Sequence, residues 1–108
     1  MIQEHNKIVV ALATFPKKQD WKKFFTQIIE HELAACINIV NDATSIYRYK
    51  KQLCIDEEVI AIIKLSSKKQ NDLEEFFKKN HPYEVFELLF FNIQSGFPAY
   101  LDFVLEHI

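Results

Sequence analysis

The stretch Ala35–Ser66, ACINIVNDATSIYRYKKQLCIDEEVIAIIKLS, decides the fold. Both halves are rich in β-branched and aromatic residues, and the lysine pair Lys50-Lys51 divides them, which is the pattern of a β-hairpin. Its arms are expected over Ala35–Tyr49 and Gln52–Ser66. Asn41-Asp42 interrupts the first arm as a bulge or bend, not a chain reversal. With the turn centred on the lysines, Cys54 is expected opposite Tyr47 and Cys36 opposite Leu65, so the thiols lie far apart and no intrachain disulfide is expected. Arms of roughly 15 residues at about 3.3 Å each would span roughly 50 Å. A domain of this size has a diameter of roughly 35 Å. The tip must therefore project or lie on another subunit.

Working outward, Lys7–Thr14 (KIVVALAT) is a continuous apolar run that suits a strand buried on both faces. A helix is expected to start near Thr14 and Pro16, with Trp21, Phe24, Phe25, Ile28, Ile29 and Leu33 on one face. On the other side of the hairpin, Ser66 and Ser67 can cap a second helix, and Gln70 completes a capping-box pattern. Leu73, Phe76 and Phe77 supply its buried face, and Asn80-His81-Pro82 ends it. Val85–Ile93 reads as a further strand, Ser95–Pro98 as a turn, and Ala99–Ile108 as a short helix with Tyr100, Leu101, Val104 and Ile108 inward. The order β-α-β-β-α-β plus a terminal helix gives an α+β fold, a ferredoxin-like sandwich with a long β2-β3 hairpin, as a single domain over 1–108.

Composition narrows the function classes. The 108 residues are 49% hydrophobic and 26% charged, with a formal net charge of −2. That balance describes a folded chain and offers no electrostatic footprint for nucleic acid. Against one arginine, Arg48, stand twelve lysines, a poor supply for bidentate phosphate recognition. A single glycine, Gly96, excludes a glycine-rich phosphate loop. The apolar runs are too short to span a membrane, and no signal peptide is read at the N-terminus. With only Cys36 and Cys54, reduced thiols in a cytoplasm are expected.

Several segments resemble the CutA family: Glu32–Asn38 (ELAACIN), Ala43–Tyr47 (ATSIY), Glu58, and His81–Glu84 (HPYE). The likeness runs from Ile8-Val9-Val10 to Tyr100-Leu101. It implies a ferredoxin-like homotrimer whose long hairpins pair with neighbouring subunits, a link to divalent-cation tolerance, copper binding as reported for some members, and no catalytic turnover. The chain departs from the family pattern in places. Tyr47-Arg48-Tyr49-Lys50-Lys51 stands where Tyr-x-Trp-x-Gly is usual, Phe86-Glu87 replaces Pro-Glu, and Phe103 stands where tryptophan is common. Ala13 aligns with the cysteine usually tied to copper.

On the residues alone, metal candidates are His81, Glu84, Glu87 and Cys36, since copper favours imidazole and thiolate donors. None of them shows close ligand spacing. His81 also reads as a cap at a helix end, and Cys36 as a small core residue. Glu58, mid-strand, needs a partner if buried, with Lys64 or a neighbouring chain as candidates. Tyr47, Arg48, Tyr49, Glu58, Lys64 and Tyr83 are the candidates for inter-subunit or cleft positions. Beside the tolerance reading stands a small-ligand signalling trimer of the nitrogen-regulatory P-II type, which rests on fold analogy. An acylphosphatase-like hydrolase lacks its anion cradle. An RNA-recognition module lacks a basic setting.

Overall fold

The computed structural model describes residues 7–108. Its elements are β1 (Ile8–Pro16), α1 (Lys22–Glu30), β2 (Cys36–Tyr49), β3 (Gln52–Ser66), a 3-10 turn (Ser67–Lys69), α2 (Gln70–Asn80), β4 (Leu88–Asn92) and α3 (Pro98–Glu106). The four strands form one antiparallel sheet in the order β2-β3-β1-β4, the expected ferredoxin-like arrangement. Among the described residues β2 and β4 are its open edges. The hairpin arms carry 14 and 15 residues, and the longest dimension of the chain is 52 Å against 26 and 23 Å for the others.

One sheet face carries the core. Val9, Ala11, Ala13 and Phe15 of β1 alternate inward with Val59, Ala61, Ile63 and Leu65 of β3. They pack under Phe24, Phe25 and Ile28 of α1 and Leu73 and Phe77 of α2. Among the described residues the other face is covered only at one end, where α3 sets Leu101 and Val104 against Ile8. Farther along that face Val10 and Leu12 are only half-buried beside exposed Leu89 and Phe91. β1 is thus not buried on both faces as its composition suggests, because three short helices cannot cover both faces of the sheet in a chain 52 Å long.

Other boundaries shift for identifiable reasons. Pro16 ends β1 instead of opening a helix, and α1 starts where the Asp20 carboxylate accepts the Lys22 N–H at 2.9 Å. Ser66, not Ser67, supplies the hydroxyl cap before α2, accepting from the Lys68 N–H at 3.2 Å. β4 begins only at Leu88 because Phe86 turns inward, its ring 5.6 Å from Phe77 and 5.2 Å from His81. In α3, Leu101 and Val104 are buried while Tyr100 stays exposed.

The turn is Lys50-Lys51, as the sequence indicates, with φ of 50° and 66°. Two positive-φ residues match the right-handed twist of a hairpin, a position normally taken by Asn-Gly. Between Val40 and Ala43 the register slips: Cys36–Val40 pair with Lys64–Ile60, whereas Ala43–Tyr49 pair with Glu58–Gln52. Asn41 and Asp42 together face one residue, the expected bulge. Its consequence corrects one pairing, since Cys36 lies opposite Lys64 and not Leu65.

Candidate functional site

That slip determines which side chains share a face. In a strand, one extra residue moves every later side chain to the other side of the sheet. Beyond the bulge Ser45, Tyr47 and Tyr49 pair with Asp56, Cys54 and Gln52, and so they share a face with Glu58 at the next even position of β3. A continuous register would have turned both tyrosines away from Glu58. The bulge is tied to the end of β1 by Lys17 Nζ, which donates to Asp42 Oδ1 at 2.5 Å.

The opposite wall is the segment between α2 and β4. His81 N–H closes α2 by donating to the Phe77 carbonyl at 2.8 Å. The His81 ring is buried and stacks on Phe15 at 4.7 Å. Its Nε2 lies 2.9 Å from the Thr14 carbonyl oxygen, and its Nδ1 accepts the Tyr83 N–H at 3.0 Å. A carbonyl can only accept, so Nε2 carries the proton and the imidazole is neutral. Burial depresses its pKa, and the Thr14 carbonyl only partly offsets that. This fixed imidazole holds Tyr83 over the sheet, where the Tyr83 hydroxyl donates to Glu58 Oε2 at 3.2 Å.

Between the two walls lies a cleft of about 720 Å³, lined by Thr14, Ser45, Ile46, Tyr47, Tyr49, Glu58, Pro82, Tyr83, Glu84, Val85 and Glu87. Glu58 is only 6% exposed. Burial, reinforced by Glu58, pushes the Tyr83 hydroxyl up to about 12. The Tyr47 hydroxyl donates to Asp56 Oδ2, which holds its pKa well above the ordinary phenol value. Both phenols are therefore donors at neutral pH.

Six expected positions meet here: Tyr47, Tyr49, Glu58, Tyr83, Glu84 and Glu87. The others do not. Arg48 pairs with Leu53 on the opposite side of the hairpin. Lys64 is not the partner of Glu58; its ammonium lies 4.0 Å from Cys36 Sγ at the far end of the ribbon. His81 stands behind the wall, with both nitrogens engaged. Thr14, Ser45, Ile46, Pro82 and Val85 also line the cleft and are not among the expected site positions, although the spacing Ser45-x-Tyr47-x-Tyr49 carries the signal for a shared face.

The donors do not suit a resident soft metal. His81 has no free lone pair, Cys36 is at the other end of the hairpin, and Ala13 is packed wholly in the core. Among the described residues no group of three or more His, Cys, Asp or Glu side chains is placed to hold a metal ion.

Comparison with known proteins gives a consistent picture. The family model described as CutA1 divalent ion tolerance protein matches residues 9–107. A Xenopus laevis protein named Protein CutA homolog is 39% identical over 94 residues, covering 87% of this chain and 62% of its own length. The chain thus spans less than two thirds of that relative. The Divalent-cation tolerance protein CutA of Thermus thermophilus is 35% identical over 98 residues, covering 91% of this chain and 95% of its own. Among solved structures, CutA1 from Oryza sativa superposes with a TM-score of 0.87 at 33% identity, over 93% of this chain and 92% of that one.

Proposed function

The chain belongs to the CutA1 divalent ion tolerance family, and from that premise we propose that it serves divalent-cation tolerance as a non-catalytic homotrimer. The observation that carries the assembly is the far half of the hairpin. Ile46, Leu53 and Ile55 continue the core-facing side of the sheet beyond the helices and are 68%, 71% and 62% exposed. An apolar surface of that kind on a projecting ribbon is the signature of a subunit contact. The half-open face around Leu89 and Phe91 and the unpaired edges of β2 and β4 add further surface for it. Trimer is the number the family resemblance implies.

The family role does not run through a copper ion held by His81 and Cys36 of one chain, because those donors are engaged or far apart. Nor does the cleft favour an anionic effector of the P-II type: three glutamates line it, while Arg48 and Lys64 lie elsewhere. Two free thiols, Cys36 and Cys54, suit a reducing cytoplasm, and among the described residues no helix is long and apolar enough to cross a membrane. The role is tested in a host lacking its own such protein, challenged with graded Cu²⁺, Zn²⁺ and Co²⁺. The wild-type chain should restore growth, and Ile55→Glu, which places a charge in the proposed contact, should not. Equal growth of both strains would refute the link between assembly and tolerance.

A further inference from the structure

The His81 ring is buried among four aromatic rings of its own chain. Their centres lie 4.7 Å away for Phe15, 5.2 Å for Phe86, 5.8 Å for Phe77 and 6.4 Å for Trp21, all stacked on it. Nε2 donates to the Thr14 carbonyl and Nδ1 accepts the Tyr83 N–H, so neither nitrogen can change its role without losing a bond. The faces of the surrounding rings would attract an imidazolium, but its second N–H would point at the Tyr83 N–H, donor against donor. Burial holds the ring neutral, and the Thr14 carbonyl and the Glu58 carboxylate offset that only in part. Among the described residues Glu58 of β3 is the charged group that bears on the ring. β1, the residues before α1, and α2 present it with Phe15, Trp21 and Phe77, and its own segment with Tyr83 and Phe86.

From this geometry we infer that His81 is an acid-sensitive latch: a proton on Nδ1 releases Tyr83, and with it the segment 82–87, while the rest of the core stays folded. Histidine is the side chain whose charge changes under mildly acidic conditions. Residues 82–87 belong to no helix or strand, so they can open as a local unit before the elements on either side. The Tyr83 hydroxyl, which ties this segment to Glu58 of β3, leaves with it. The other side chains of that core are apolar and carry no charge change of their own. Every group of the latch belongs to one chain, so neighbouring copies neither supply nor remove the partner of either ring nitrogen.

Trp21 is the single tryptophan of the chain, and its place beside His81 lets its fluorescence report the charge on the imidazole. In the full chain, in whatever assembly it adopts, emission should fall reversibly between pH 8 and pH 4.5. The midpoint should lie below the ordinary histidine value of about 6.5, while the far-ultraviolet spectrum stays constant. Amide hydrogen exchange, corrected for the intrinsic rate at each pH, should show protection of the Tyr83 N–H falling about tenfold over the same range, the worth of one hydrogen bond. The amides of β1 and β3 should keep their protection. In His81→Phe the emission should no longer titrate, and the Tyr83 amide should already be unprotected at pH 8. If that variant does not fold, the wild-type exchange comparison decides alone. Constant emission, a transition that persists in folded His81→Phe, or a Tyr83 amide that opens only together with β1 overturns the latch.

Discussion

At the scale of single residues, His81 shows how a side chain that reads as a ligand can instead be a fastener. The sequence places an imidazole between a helix end and a proline, which favours a cap at the helix end over a metal ligand. What decides is the carbonyl of Thr14, 67 residues away in the chain, which no local pattern reveals. Because burial depresses the folded-state pKa, the unfolded chain takes up a proton first. The stability supplied by neutral His81 is therefore complete above the ordinary histidine value of about 6.5 and declines as pH falls below it. Urea midpoints measured from pH 8 to pH 5 should show that decline, and His81→Phe should flatten it. At pH 8 the same variant should lose about 1–3 kcal/mol, since the Thr14 carbonyl and the Tyr83 N–H lose their partner. A slope that survives in His81→Phe would assign the effect to another group.

At the scale of elements, the hairpin was legible in nearly every feature: both arms, the lysine turn, and the irregularity at Asn41-Asp42. The site it builds was only partly so. The turn-centred pairing already sets Tyr47 and Tyr49 on the face of Glu58, but Tyr83 joins them only through His81 on the Thr14 carbonyl, and the same pairing carried past the bulge misplaces Cys36 by one residue. The turn itself departs from what its geometry prefers. Lys50 and Lys51 hold φ of 50° and 66°, a left-handed conformation that costs an ordinary side chain roughly 1 kcal/mol. The partial offset visible in the structure is the Lys50 ammonium, 5.4 Å from the centre of the Tyr49 ring. Lys51→Gly restores the glycine usual in the family and should stabilise the fold by about 0.5–1 kcal/mol in a denaturation midpoint. A loss of stability would mean that the lysine makes contacts worth more than the backbone strain.

At the scale of the whole molecule, disproportion is the governing fact. The radius of gyration is 14.9 Å, above the roughly 13 Å expected of a compact chain this long, and the excess lies in a ribbon that two helices cannot roof. Burying Ile46, Leu53 and Ile55 against another copy would be worth about 1.5–3 kcal/mol for each side chain fully removed from water, enough in three symmetric copies to make the isolated chain the minor species. Light scattering should accordingly give about 38 kDa, three times the 12.8 kDa of one chain. The double variant Leu53→Glu/Ile55→Glu should move the mass toward that of one chain while leaving the far-ultraviolet spectrum of the core intact, because both residues lie beyond the reach of α1 and α2. A wild-type chain that stays at 12.8 kDa at high micromolar concentration would remove the trimer, and the exposed ribbon would then need a different partner.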